Sequence, residues 1–202
     1  MSSYGDLIQA LGILKNVKEK RHGIKTLASL CSNRAFQLRI VQRGGWRDAI
    51  LPLIISLDVD CRRYAALAIA SLSTSTAAHQ QLLDEDVLRH LVPIPRSEEV
   101  PEVVVYVLNA LGNLAASAAA WPQLQRTNAV EVVVSALRGA PTQAVATTAL
   151  FCLANLTADP RQRQWMLQNG TQELAWQHLQ SPDYPTLLHS LALLRGLSVE
   201  PP

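Results

Sequence analysis

The amino-acid sequence predicts an all-α solenoid, in which similar helical units follow one another along the chain. A four-residue motif recurs five times, as Leu-Ala-Ser-Leu at 27–30, Ile-Ala-Ser-Leu at 69–72, Leu-Gly-Asn-Leu at 111–114, Leu-Ala-Asn-Leu at 153–156 and Leu-Arg-Gly-Leu at 194–197. Successive copies are 42, 42, 42 and 41 residues apart. A constant period of roughly 40–47 residues is the sequence signature of certain helical repeat arrays.

Two further registers share this period. Leucines recur at Leu11, Leu53, Leu137 and Leu179, and Pro95 takes the remaining position. The second register holds residues that tolerate the turn between a short helix and the next one. Its members are Gly44, Asp86, Asn128 and Gly170.

Within one unit the apolar residues follow helical spacing. Val145, Ala149, Cys152 and Leu156 step by three and four, which predicts one buried helix face. Pro, Gly, Ser and Asp fall between the periodic segments, as at 73–76, 138–141, 159–160 and 181–183, and they mark helix ends. Pro52 and Pro93 fall late in their segments, and Pro95 follows, so we expect these helices to be kinked or short.

The segment Ala-Leu-Phe-Cys-Leu-Ala-Asn-Leu-Thr at 149–157, followed by Gln-Trp-Met-Leu-Gln-Asn-Gly at 164–170, resembles the armadillo repeat of β-catenin and importin-α. The resemblance extends over essentially the whole chain. It implies a single domain, 1–202, forming a right-handed α-solenoid of about five armadillo repeats at 4–32, 33–74, 75–116, 117–158 and 159–198. Each repeat would have three helices, with the leucine motif on the third, and the first repeat would lack its opening helix.

The resemblance also implies that the third helices line a concave groove. An asparagine there offers both a donor and an acceptor to the main chain of an extended peptide. The alternatives are that Asn113 and Asn155 bond to their own solenoid and that the aromatic residues are ordinary, partly buried packing. The candidate groove residues are Tyr64, Tyr106, Asn109, Asn113, Phe151 and Asn155.

Importin-α places tryptophan four residues before the groove asparagine, and this chain does not. The five corresponding positions hold Lys25, Leu67, Asn109, Phe151 and Ala192, and the four tryptophans fall on the other helices. This departure disfavours a transport receptor for nuclear signals.

Composition sets limits on the class of partner. The 18 Lys and Arg residues nearly balance the 16 Asp and Glu residues, so we expect no nucleic-acid partner. A modest basic patch formed by Lys18, Lys20, Arg21, Lys25, Arg62 and Arg63 is an alternative to an ordinary solvated face. No apolar run approaches 18 residues, and Met1-Ser2-Ser3 lacks the glycine of a myristoylation signal, so we expect no integral membrane segment.

The cysteines favour a reducing compartment, cytoplasmic or nuclear. Cys31, Cys61 and Cys152 are odd in number and far apart, which fits neither a disulfide framework nor a metal site. Cys31 and Cys152 lie beside the motif leucines and are expected to be buried, whereas Cys61 lies near a predicted helix start and is expected to be open to solvent.

No catalytic constellation is present in the sequence. The five histidines fall in different repeats, and there is no phosphate-binding loop, H-E-x-x-H or G-x-S-x-G motif. We therefore expect no enzymatic activity, no metal and no cofactor.

The predicted function is that of a non-catalytic adaptor or scaffold, which binds an extended protein segment along the groove. The alternative is a structural subunit of a larger cytoskeletal or ciliary assembly, with contacts through the solenoid ends and convex face. In both terminal helices the apolar residues spread beyond one stripe, which predicts that a second copy, a partner or further repeats cover at least one end, preferentially the C-terminal one. These residues are Leu7, Ile8, Leu11, Ile13 and Leu14 at the start, and Leu187, Leu188, Leu191, Leu193, Leu194 and Leu197 at the end.

Overall fold

The computed structural model describes residues 4–199, and all the regular secondary structure in that range is helical. The predicted all-α class is therefore confirmed. The chain divides into two compact units at the peptide bond between His90 and Leu91. Met1–Ser3, on which the myristoylation argument depends, lie outside the described residues.

The first unit begins with a two-helix pair and continues through two three-helix groups. Its α-helices are α1 (Tyr4–Ile13), α2 (Val17–Cys31), α3 (Arg34–Gln42), α4 (Leu51–Ile54), α5 (Val59–Leu72), α6 (Thr76–Asp84) and α7 (Val87–Leu91, whose last residue opens the second unit). A π-helical segment, Gly45–Ile50, precedes α4. α2 packs along α5, and α1 packs against α2 and the π-helical segment.

The second unit is built around three long helices. Its helices are α8 (Ile94–Ser97), α9 (Pro101–Ala115), α10 (Trp121–Arg126), α11 (Ala129–Arg138), α12 (Gln143–Leu156), α13 (Pro160–Gln168), α14 (Thr171–His178) and α15 (Tyr184–Leu197), with a 3-10 turn at Ala118–Ala120. α12 lies between α9 and α15, and α11 and α14 pack on α12 and α15 respectively.

The left-handed residues of the described chain fall on the 42-residue register. Gly44, Asp86, Asn128 and Gly170 have φ of 77°, 55°, 53° and 69°, and each directly precedes the second helix of its group. The sequence-based prediction of a turn at each of these positions is confirmed. Because a β-carbon clashes in this backbone region, Gly, Asn and Asp are the residues that adopt it most readily.

The proline positions interrupt helices as the sequence predicts. Pro52 is the second residue of the four-residue α4, which follows the π-helical segment and not a continuous α-helix. α7 ends at Leu91 and α8 begins at Ile94, with Pro93 between them. A proline has no amide hydrogen, so the usual ladder of i to i−4 bonds is broken there.

The first turns of the five long helices α2, α5, α9, α12 and α15 follow the same register. Asn16, Asp58, Thr142 and Asp183 each accept a hydrogen bond from a backbone N–H two or three residues later. Val100 takes the remaining position and lacks a polar side chain, and there Glu98 accepts the bond from the Val100 N–H. These caps satisfy amides that have no partner inside the helix.

The last turns of four of these helices are closed by a second device on the same register. A side chain six residues later donates to a carbonyl at the helix end, at 2.7–3.2 Å. The donor differs every time, and its bonds run from Gln37 to Cys31 O, from His79 Nε2 to Ser73 O, from Trp121 Nε1 to Ala115 O and from Arg163 Nη1 to Thr157 O. Since a carbonyl only accepts, His79 carries its proton on Nε2.

The three cysteines are all buried as free thiols. The expectation that Cys61 is open to solvent is wrong, because its side chain points inward from the first turn of α5 and is fully buried. Burial raises the pKa of Cys31 to about 12 and that of Cys61 to about 11, and it also raises the pKa of Cys152. Buried neutral thiols of this kind are poor nucleophiles.

The basic residues of the first unit do not form an unopposed patch. Arg21 binds Asp58 through its guanidinium, with Nε 2.9 Å from Oδ1, and approaches Asp60 at 3.7 Å. Arg63 binds the other oxygen of Asp60 at 2.8 Å, and Arg62 donates to the carbonyl of Ser56 at 2.9 Å. The solvated, mutually compensated face is thus the better description of this surface.

Candidate functional site

The structure places five of the six candidate groove residues on two neighbouring helices of the second unit. Tyr106, Asn109 and Asn113 lie on successive turns of α9, and Phe151 and Asn155 lie one turn apart on α12. All five are half-buried, so each shows part of its side chain to solvent. The sixth, Tyr64, lies on α5 in the first unit.

On α9 the tyrosine and the first asparagine differ in how they are held. The Tyr106 hydroxyl donates to Glu102 Oε1 at 3.2 Å, one turn earlier on the same helix. Within residues 4–199 no protein group forms a hydrogen bond with the side chain of Asn109. Asn109 therefore presents an unused amide donor and an unused carbonyl acceptor at the surface.

Phe151 is fixed from two sides. A β-carbon at Gly112 would lie 2.5 Å from Phe151 Cε1, so only glycine lets the ring lie this close to α9. On the other side the imidazole of His189, from α15, has its centroid 5.4 Å from that of Phe151, with the planes tilted by 59°. Burial lowers the pKa of His189, which favours the neutral ring in this aromatic pair.

Asn155 is committed to the scaffold through its amide nitrogen. Its Nδ2 donates to the carbonyl of Gly112 at 2.8 Å, which ties α12 to α9. This is the alternative role that the sequence left open for this residue. The carbonyl oxygen Oδ1 accepts no hydrogen bond from the described residues and is the part of this side chain left for a ligand.

Tyr64 has a different neighbour. The Lys25 ammonium of α2 lies 5.8 Å from the centroid of the Tyr64 ring, a cation–π distance. Both residues come from third helices of the first unit, one repeat length apart.

Two residues at this surface have signals that the sequence alone did not single out as site residues. Glu102 lies one helical turn before Tyr106, which is the spacing at which side chains on a helix meet. His189 lies 38 residues after Phe151, close to one repeat, so it occupies the matching row on the next long helix. Both follow from helical geometry once the long helices are known to be neighbours.

The deepest pockets of the second unit lie away from these residues. One of about 490 Å³ is lined by Glu98, Pro101, Val104, Pro141 and Val145 among others, at the beginnings of α9 and α12. A second, of about 260 Å³, lies between α10, α11 and α13 and includes Gln125, Arg161 and Trp165. None of the six predicted residues lines either pocket, so the candidate site is an open surface and not a cavity.

Searches of the described residues for two other kinds of site give a limited result. No group of three or more His, Cys, Asp or Glu side chains in 4–199 is arranged to hold a metal ion. In the same range no single helix is long and apolar enough to cross a membrane, although the bent pair Pro101–Ala115 and Ala118–Arg126, at 107°, passes by length and composition.

Comparison with known proteins gives likenesses of structure only. No protein-family model matches the sequence. No curated protein matches it significantly. An engineered protein superposes with a TM-score of 0.88 at 22% identity, over 98% of this chain and 80% of the other. A designed armadillo repeat protein in complex with the peptide (KR)4 gives 0.85 at 17% identity, over 96% and 81%.

A third structure, which concerns the interaction between cadherin and β-catenin, gives a TM-score of 0.83 at 19% identity. It is matched over 96% of this chain and 39% of its own. At these identities the likeness establishes the fold, and the chain has the all-α, armadillo-type solenoid fold that the repeat motif predicts.

Proposed function

We propose that this protein is a non-catalytic scaffold that binds an extended segment of a partner protein across α9 and α12 of the second unit. The observation that carries this proposal is the open row of uncharged polar and aromatic side chains on adjacent long helices, with the Asn109 amide unused. An extended peptide has one donor and one acceptor per residue, and an asparagine side chain satisfies both.

The neighbouring side chains suit the same ligand. Phe151 and Tyr106 supply apolar surface on either side of Asn109, and the aromatic ring of Phe151 is held rigidly by Gly112 and His189. A preformed surface loses little conformational freedom when a peptide binds. Glu102 is the carboxylate at this surface, and it favours a peptide with a basic residue near Tyr106.

The structural neighbours lend support of a general kind. One is described in complex with a peptide and another through its interaction with cadherin. Because one fold carries many unrelated functions, they support the class of ligand and leave its sequence to experiment.

Selection of linear peptides from a phage-displayed library on the folded protein tests the proposal. We expect Asn109→Ala to weaken a selected peptide by about 5- to 100-fold, which corresponds to the roughly 1–3 kcal/mol lost when a buried polar group is left unpaired. The matched control is Gln164→Ala, an exposed amide on α13. Peptides that bind the Asn109 variant as tightly as the control would place the binding surface elsewhere.

The alternative function, a structural subunit that makes its contacts through an end of the solenoid, is favoured by a separate observation. α15 exposes large apolar side chains, among them Leu188 and Leu191.

A further inference from the structure

The large apolar residues exposed in the second unit are all found in its last part. From Leu91 to Ala158 no large hydrophobic side chain is exposed, whereas six are exposed beyond that point. Soluble proteins rarely leave such clusters uncovered unless they bind something. The six are Leu167, Trp176, Tyr184, Leu188, Leu191 and Val199.

Three of the six lie on one face of α15. Tyr184, Leu188 and Leu191 are 72%, 48% and 51% exposed, and they follow the spacing of four and three residues that aligns side chains along a helix. Exposed Arg195 continues the same line. We call these four residues the outer stripe.

The opposite face of α15 is buried against the rest of the unit. It consists of Thr186, Ser190, Leu193 and Leu197, all of which are buried. Half of this face is hydroxyl side chains, and half of the outer stripe is leucine. The side of α15 that meets solvent is therefore at least as apolar as the side that packs.

The preceding repeat shows what the outer stripe is equivalent to. At the period of 41 residues its members correspond to Gln143, Thr147, Leu150 and Ala154 of α12. Gln143 Nε2 and Thr147 Oγ1 lie 2.6 Å and 2.5 Å from Thr186 Oγ1 of α15, and Leu150 is fully buried. This α12 face is the one that α15 covers, so the outer stripe is a helix-packing face that the described residues leave open.

The pattern of the outer stripe is complementary to itself when reversed. In an antiparallel pair centred between Leu188 and Leu191, each Leu188 meets the Leu191 of the other helix, because 188 and 191 sum to 379. Tyr184 and Arg195 also sum to 379, so each tyrosine meets the other copy's arginine. A guanidinium over a tyrosine ring is a favourable contact.

Charge favours the same orientation. Arg195 is the one charged residue of the outer stripe. In a parallel pair the two guanidinium groups would face each other, whereas in the antiparallel pair they lie about 16 Å apart along the helices, at 1.5 Å per residue. That separation exceeds the Debye length of about 8–10 Å at moderate salt, so their repulsion is screened.

We propose that the outer stripe binds a second copy of this chain, with the two α15 helices antiparallel about a two-fold axis between Leu188 and Leu191. The contact is isologous, since the same four residues contribute from both sides. Its centre is a leucine cluster, and each end is an arginine–tyrosine pair.

Sedimentation over a range of concentrations tests self-association. We expect a reversible dimer whose Kd rises at least tenfold in the Leu188→Glu and Leu191→Glu variants. The matched control is Leu167→Glu, because Leu167 is 47% exposed and lies on α13, off the stripe. Circular dichroism of each variant checks that it is folded. A wild-type chain that remains monomeric at every concentration overturns the proposal.

Cysteine pairs test the orientation. In an oxidising mixture of Leu188→Cys and Leu191→Cys proteins we expect mixed disulfide dimers to form faster than dimers of either variant alone, since residue 188 meets residue 191. The native cysteines do not interfere because all three are buried. Preferential 188–188 or 191–191 linkage overturns the antiparallel register, and a Leu167→Glu variant as disrupted as Leu188→Glu points instead to docking of the whole end face by another helical repeat.

Discussion

The side-chain amide of Asn155 has two competing uses at the scale of the single residue. Its nitrogen donates to the Gly112 carbonyl and ties two long helices together, so it is not available to a peptide. Asn109 sits on the neighbouring helix without such a bond. Of the two asparagines, Asn155 therefore belongs first to stability and Asn109 first to recognition.

We expect Asn155→Ala to lower the free energy of unfolding by about 1–2 kcal/mol, because the partly buried Gly112 carbonyl loses its donor. Urea unfolding followed by circular dichroism measures this. Asn109→Ala, which breaks no protein hydrogen bond, provides the comparison and should change the midpoint little. Equal loss in the two variants would show that the bond to Gly112 contributes nothing to stability.

At the scale of the helix, both ends of the long helices are closed by side chains on a common register. The starts have a sequence signal, because Asn, Asp and Thr are the usual capping residues. The ends have none, since Gln37, His79, Trp121 and Arg163 share no residue type and share only an N–H group that reaches a carbonyl six residues earlier. The register of these donors becomes visible only in the structure.

His79 gives a direct test of this shared role. We expect His79→Ala to lower the free energy of unfolding by about 1–3 kcal/mol, since it leaves the buried Ser73 carbonyl without its donor. His79→Gln should recover most of that loss, because Gln37 performs the same task one repeat earlier. Urea unfolding of the three proteins decides it, and a glutamine variant no more stable than the alanine variant would contradict the equivalence.

At the scale of the whole molecule, the fold was predictable because its signals are local. The leucine motif, the helical spacing and the turn residues such as Asn128 and Gly170 each depend on a few neighbouring positions, and the period links them. The details that failed or stayed open depend on packing between helices. The burial of Cys61 and the commitment of Asn155 to Gly112 are set by neighbours some 40 residues away in sequence, which spacing does not reveal.

Acid stability is a property of the whole chain to which each unit contributes an aspartate. The Arg21 guanidinium lowers the pKa of Asp58, and hydrogen bonds from Thr186 lower the pKa of Asp183. In the unfolded chain both titrate near 3.9. The unfolded state therefore binds more protons between the two pKa values, so the stabilisation is fully present above about pH 4 and is lost as the pH falls below it.

We expect the Asp58→Asn and Asp183→Asn double variant to be less stable than the wild type at neutral pH and to depend less on pH below about 4. Thermal unfolding between neutral pH and about pH 3 measures both quantities. A difference in melting temperature between the two proteins that stays constant on acidification would show that these carboxylates do not have lowered pKa values in the folded chain.

The interchangeable donors at the helix ends bear on how repeats can diverge. What each repeat must retain at that position is a hydrogen atom at a given point in space, and an amide, an imidazole, an indole or a guanidinium all supply it. A comparison that scores residue identity treats such a column as unconstrained, although each of its members is held by the same demand. Scoring the position for its ability to donate recovers the constraint and allows one repeat's donor to be grafted into another.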